Sequence, residues 1–203
     1  MHKNKIHTDN YACCRRLIFS ILVIGDTAVG KTSLIARYVR NEFPCHSRSH
    51  INIDGSTVYQ TVIDGNDCTL IFFDISTIYD IQKIKFSDAI PTACFVVFSI
   101  TDQRSFSKLN YFQETIRLKF PNQLMSIPTI LIANKIDLEQ DRAVSQESID
   151  KLKSNGFDVF DISVKGNVGI GDAIYTAIKH LQYEQHYHLE KIKPHSACAC
   201  ILS

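Results

Sequence analysis

Residues 25–32 read Gly-Asp-Thr-Ala-Val-Gly-Lys-Thr. No other stretch narrows the possible folds of this chain as much. The pattern G-x-x-x-x-G-K-[ST] works only between a strand and a helix. Residues 17–24 are an apolar run fit for a buried strand, and residues 31–40 carry helical spacing. Gly25 and Gly30 let the backbone turn so that successive amides, from Asp26, Thr27, Ala28 and Val29, face a phosphate. The helix N-terminus adds the positive end of its dipole. Lys31 places a point charge between β- and γ-phosphates, and the Thr32 hydroxyl suits Mg²⁺. An ordinary glycine turn before a helix is the plain alternative. The Lys-Thr pair and the strand–loop–helix context weigh against it. Alone, the motif names a nucleotide and not its base.

The rest of the chain supplies a matching framework. Apolar runs alternate with helical patterns, as in a mostly parallel sheet with crossover helices, an α/β fold. Residues 57–63 and 68–74 are expected to be antiparallel edge strands joined by the turn signal Asp64-Gly65-Asn66. Residues 92–100 and 127–133 read as buried strands, and 157–162 as the last strand. Asp102 caps a helix running to about residue 119, stopped by Pro121, and Ser145 caps another to about residue 155, before Gly156. A last helix spans about 172–183. This organisation gives an N-terminal extension at 1–16, one domain at 17–183 and a polar flexible tail at 184–203.

Composition excludes several classes. The 203 residues suffice for one domain with tails, and 45% are apolar, which suits a packed core rather than a disordered chain. With 22 basic and 21 acidic residues there is no electrostatic reason to expect nucleic acid. The seven cysteines form no paired framework, so a reduced, cytosolic setting is expected. No apolar run approaches the roughly 20 residues of a membrane span. Residues 17–24, behind Arg15 and Arg16, resemble a signal-peptide core, but a phosphate loop follows in place of a cleavage site.

A second motif, Asn134-Lys135-Ile136-Asp137, and a third, Ser163-Val164-Lys165, each follow a strand. Carboxyl ends of strands are where open α/β sheets bind ligands. The Asp137 carboxylate offers two acceptors to the N1–H and 2-amino donors of guanine. Adenine has an acceptor at N1 and no 2-amino group, so it leaves the carboxylate unpaired. With these residues in this order, the chain resembles the Ras superfamily of small GTPases over about residues 17–182. The resemblance implies a P-loop GTPase fold, a six-stranded mixed sheet with five flanking helices. It implies that Gly25, Gly30, Lys31, Thr32 and Ser33 bind phosphates and magnesium, and that Asn134, Lys135 and Asp137 hold guanine. The backbone of Val164 with Lys165 completes the base site, and Phe43 matches the aromatic packed against the base. Thr101-Asp102 with Ser105-Phe106 is a further familial stretch. Subfamily features are mixed. The phosphate loop is Rho- or Rab-like, the base motif departs from Rho, and the tail is Ras- or Rho-like.

Both switch segments depart from that pattern. Asp-x-x-Gly-Gln is replaced by Asp74-Ile75-Ser76-Thr77-Ile78. Asp74 remains and can hold magnesium through water. Thr77 replaces the Gly whose amide meets the γ-phosphate. Ile78 replaces the Gln and has no group to orient a water. Thr27 is bulkier than the Gly of typical Ras. The magnesium-binding Thr of the first switch falls at Asn52 or His50, depending on which flank is counted, with Ser47, Ser49 or Thr57 as substitutes. Slow hydrolysis is therefore expected, and simple drift of the switches is the alternative.

The C-terminus, Cys200-Ile201-Leu202-Ser203, fits a C-a-a-X prenylation signal, and terminal Ser points to farnesyl. One chain binds membranes only reversibly, so Cys198 is the candidate for a second, palmitoyl anchor. A metal site from His186, His188, His195 and the tail cysteines is disfavoured, because the tail lacks a fold to hold ligands. The expected protein is a monomeric, membrane-anchored GTP/GDP switch on the cytoplasmic face of the plasma membrane. It would use Mg²⁺ and bind effectors and regulators. A GTP-loaded scaffold with little catalysis is the second reading, and a P-loop kinase acting on a metabolite the third.

Overall fold

The computed structural model describes residues 16–43, 56–75, 92–119 and 127–192, with only the backbone described for 184–192. Strand β1 (Leu17–Gly25) sets the architecture. Phe19, Ile21 and Val23 face one core, and Leu22 and Ile24 face another. A strand buried on both sides needs helices above and below it, which is the layered α/β solution. Helix α1 (Lys31–Arg40) lays Leu34 and Ile35 on the first core. The hairpin β2 (Ser56–Ile63) and β3 (Asn66–Ile75) follows, then β4 (Thr92–Ser99), buried along its whole length.

Beyond β4 come α2 (Gln103–Ser107), α3 (Leu109–Lys119), β5 (Thr129–Asn134), a short 3-10 helix (Ile136–Asp141), α4 (Gln146–Ser154), β6 (Asp158–Ile162) and α5 (Ile170–Ile192). The six strands run in the order β2-β3-β1-β4-β5-β6. Only β2 with β3 is antiparallel. The sheet is thus mixed and six-stranded, with the hairpin at one edge, as the sequence indicates. Helix α5 packs Ile170, Ile174 and Ile178 on the first core, and α3 packs Leu109, Phe112 and Ile116 on the second. Each fully buried Phe, such as Phe19, Phe72, Phe95 or Phe98, contributes roughly 1.5–3 kcal/mol relative to exposure. No helix among the described residues is long and apolar enough to cross a membrane.

Local chemistry explains the element ends. Asp64 (φ 50°) and Gly65 (φ 76°) both sit in the left-handed region, the turn that matches strand twist in a two-residue hairpin. Asp102 and Ser145 cap their helices by accepting from the amides of Arg104 and Ser148. Strand β5 begins two residues later than its apolar run suggests, after Pro128, which has no amide to give.

Two other elements differ from expectation. The helix expected at 103–119 breaks at Lys108. There Ser105 Oγ ties the first turn back to Asp102 O at 2.7 Å and accepts from Ser99 N at 3.0 Å, while Lys108 turns toward residue 26. Helix α5 continues to Ile192, through residues read from sequence as the start of the polar tail.

Candidate nucleotide site

The site lies where the chain leaves β1 and crosses to either side of it, at the carboxyl ends of β1, β4, β5 and β6. Helix α1 starts at Gly30 with no side-chain cap, so its first-turn amides are left for a ligand. Gly25 and Gly30 admit no side chain. A Cβ would stand 2.1 Å from Val97 O at Gly25, and 2.4 Å from Asn134 Nδ2 at Gly30 (φ 104°). Ala28 also takes a left-handed φ of 61°, bending the loop over its own amides.

Lys31 is 7% exposed. Its ammonium donates to Gly25 O at 3.0 Å and Asp26 O at 2.7 Å. An ammonium has three donors, so one is left for a phosphate. Burial pulls its pKa below the ordinary lysine value, opposed by the charges of Asp74 and Asp26. An arriving phosphate relieves that penalty by supplying countercharge. Asp26 accepts from Lys108 Nζ at 2.6 Å and from Thr27 N at 2.9 Å. The Lys108 bond leads the effects that hold the Asp26 carboxyl below the usual carboxylate range.

Thr32 and Asp74 offer a donor set for magnesium. Thr32 Oγ1 donates to Asp74 Oδ2, while Asp74 Oδ1 is buried with no hydrogen-bond partner among the described residues. A hydroxyl beside an unsatisfied buried carboxylate oxygen is a hard-oxygen pair of the kind Mg²⁺ or its waters take. The residues therefore fit the ion.

At the other end, Asn134 is a buried bracket. Its Nδ2 donates to Val29 O at 2.8 Å, and its Oδ1 accepts from Lys135 N at 2.7 Å and Val164 N at 3.2 Å. One amide thus joins the phosphate loop to both base-side loops. Lys135 adopts a left-handed φ of 71°, which starts the 3-10 turn bearing Asp137. Asp137 Oδ1 accepts from Ser163 Oγ at 2.6 Å, and Ser163 Oγ accepts from Gly166 N at 2.8 Å. Val164 is buried and Lys165 exposed beside it. Phe43 is 41% exposed, with the Arg37 guanidinium 5.6 Å from its ring centre.

The structure therefore brings Gly25 to Ser33, Asp74, Asn134, Lys135, Asp137 and Ser163 to Lys165 to one end of the sheet. Thr57 is buried at the start of β2. Ser47, Ser49, His50, Asn52, Thr77, Ile78, Cys198 and Cys200 lie outside the described residues.

Two residues that sequence reasoning missed brace the loops of the site from outside it. Arg37 donates from Nε to Val164 O at 3.0 Å and from Nη2 to Lys165 O at 3.2 Å. Lys108 holds Asp26. Neither belongs to a nucleotide motif. The one hint for Lys108 was an acidic side chain inside a loop meant for phosphate, which calls for a nearby cation.

Known proteins resemble this chain in sequence. The Ras family profile matches residues 20–183. The human Ras-related protein Rab-7L1 is 33% identical over 169 residues, covering 80% of this chain and 81% of the relative. The human Ras-related protein Rab-32 is 31% identical over 169 residues, 78% of this chain and 72% of the relative. Its mouse counterpart is 30% identical over 181 residues, 84% and 78%.

Proposed function

Since the chain belongs to the Ras family of small GTPases, we propose that it is a magnesium-dependent GTP/GDP switch, lipid-anchored and slow to hydrolyse GTP. Family membership makes it a guanine-nucleotide-binding GTPase with regulator and effector partners. The nucleotide reading rests on one observation above all. Asn134 joins the phosphate loop to the loops bearing Asp137 and Val164, so a single ligand with phosphates at one end and a base at the other satisfies both.

The proposed roles follow. Asp137 pairs with N1–H and the 2-amino group of guanine, with Ser163 holding its carboxylate. Phe43 covers the base, and Lys165 with the Val164 backbone closes its far side. Amides of residues 26–33 and the Lys31 ammonium hold the phosphates. Thr32 and Asp74 would hold magnesium, which would supply positive charge against the phosphates. Water attacks the γ-phosphorus in line, the bond to the β–γ bridging oxygen breaks, and GDP and phosphate leave. Lys31 stabilises the charge that builds on the leaving oxygen.

Ile78 has no side-chain group to orient that water, and Thr77 stands where family members have the Gly whose amide meets the γ-phosphate. This supports slow turnover, and a GTP-loaded scaffold is the limit of the same trend. Farnesyl on Cys200 with palmitoyl on Cys198 supports attachment to the cytoplasmic face of a membrane, proposed as the plasma membrane.

Affinities of the purified chain for GTP, GDP and ATP, with and without magnesium, followed by single-turnover hydrolysis, test this. Expected are a strong guanine preference, magnesium-tightened binding and a rate below that of ordinary small GTPases. Equal binding of ATP overturns the base assignment. An ordinary hydrolysis rate overturns the slow-switch reading alone.

A further inference from the structure

Arg37 sits on α1, two turns from Lys31, and its guanidinium ties three pieces of chain together. Nε and Nη2 donate to the carbonyls of Val164 and Lys165, at 3.0 and 3.2 Å. Nη1 donates to Asn41 O at 3.0 Å and Asn41 Oδ1 at 3.1 Å. The guanidinium Cζ lies over the Phe43 ring, 5.6 Å from the ring centre. The planar fork thus uses its donor edge on the loop after β6 and on the C-cap of α1, and sets its Cζ over the aromatic beyond that cap. Asn41 itself is left-handed (φ 56°), a turn that directs the chain from α1 toward Phe43.

We propose that Arg37 is a positioning residue that sets how long the nucleotide stays bound. It fixes the Val164–Lys165 backbone and the Asn41–Phe43 segment as one wall of the base site. This inference rests on the base-site reading above. Its physical content is that the loop after β6 has few other ties to α1. Val164 N is held by Asn134 and Ser163 Oγ by Gly166 and Asp137. All of those bonds lie on the β5 side or within the loop. Arg37 supplies the tie from the α1 side. Removing it leaves two carbonyls without a donor and frees Phe43, both beside the base and remote from the γ-phosphate. The residue acts on retention and not on chemistry.

Arg37→Ala, Arg37→Gln and Arg37→Lys in the full chain, loaded with fluorescent GDP and magnesium, provide the test. GDP release from Arg37→Ala is expected to rise roughly 10- to 100-fold, the value of about one hydrogen bond to a charged group, because water replaces part of what the two carbonyls lose. The single-turnover hydrolysis constant is expected to stay within about twofold of wild type, since each tenfold change needs about 1.4 kcal/mol at the barrier. Arg37→Lys keeps the charge but not the fork, and is expected to release GDP nearly as fast as Arg37→Ala. Arg37→Gln keeps one amide donor group and serves if Arg37→Ala does not fold. Wild-type release from both neutral variants overturns the proposal. So does full rescue by Lys, or a parallel fall in hydrolysis and melting temperature that marks general loosening. Loss of guanine preference in wild type would instead sink the underlying base-site reading, and that control is run first.

Discussion

The base end and the γ-phosphate end of the site are held together very differently. At the base end, Asn134, Ser163, Asp137 and Arg37 form a connected set of hydrogen bonds across α1, the phosphate loop and two strand ends. At the γ-phosphate end, Asp74 Oδ1 has no hydrogen-bond partner among the described residues, and Lys31 rests on the carbonyls of its own loop. Under the base-site reading, the part of the ligand that GTP and GDP share meets side chains linked across several elements, and the part that differs between them meets Lys31, Thr32 and Asp74.

That comparison can be broken in graded ways. Asp137→Ala removes the acceptor pair, and guanine-over-adenine preference should fall by about 10⁴ in competition binding. Asn134→Ala leaves Val29 O and two amides unpaired, at roughly 3 kcal/mol, so the melting temperature should drop by about 6–12 °C. A drop no larger than that of a surface substitution would mean that the bracket is not what joins the two ends. Thr77→Gly with Ile78→Gln sharpens the other end. Single-turnover hydrolysis should rise roughly tenfold, the value of one well-placed hydrogen bond, with GDP release unchanged.

The smallest effect concerns the ion pair at the loop's rim. Lys108→Ala should weaken nucleotide binding less than fivefold, since exposed pairs are worth under about 1 kcal/mol. The folded Asp26 carboxyl titrates below its unfolded value, chiefly because Lys108 bonds it. Its contribution is therefore present above the ordinary carboxylate range and lost as pH falls through the folded value. The difference between wild type and Lys108→Ala in thermal melts should shrink in acid and vanish in an Asp26→Asn background.

Most of the framework was legible in the sequence because its signals are local. The apolar runs read at 92–100 and 127–133 mark the central strands found at Thr92–Ser99 and Thr129–Asn134, Asp64-Gly65-Asn66 marks the hairpin, and the glycines of the phosphate loop mark positions where a Cβ collides with Val97 or Asn134. What escaped depends on contacts distant in sequence. The helix break at Lys108 follows from an ion pair with residue 26 and from Ser105 bonding back to the end of β4, neither of which periodicity can report. Arg37 is one basic residue among several on α1 until the loop after β6 is folded against it. The 3-10 turn at Ile136–Asp141 arises from the left-handed Lys135, a conformation that a lysine does not advertise.

The length of α5 carries a consequence for anchoring. Its 23 residues form a rod about 35 Å long that ends at Ile192. The eight residues 193–200 then reach at most about 29 Å even when fully stretched. Were Cys200 to carry the proposed farnesyl group, the folded body would be leashed within a few nanometres of the lipid surface, and any protein lifting that lipid out of the bilayer would have to work in the narrow gap beneath the body or tilt it aside.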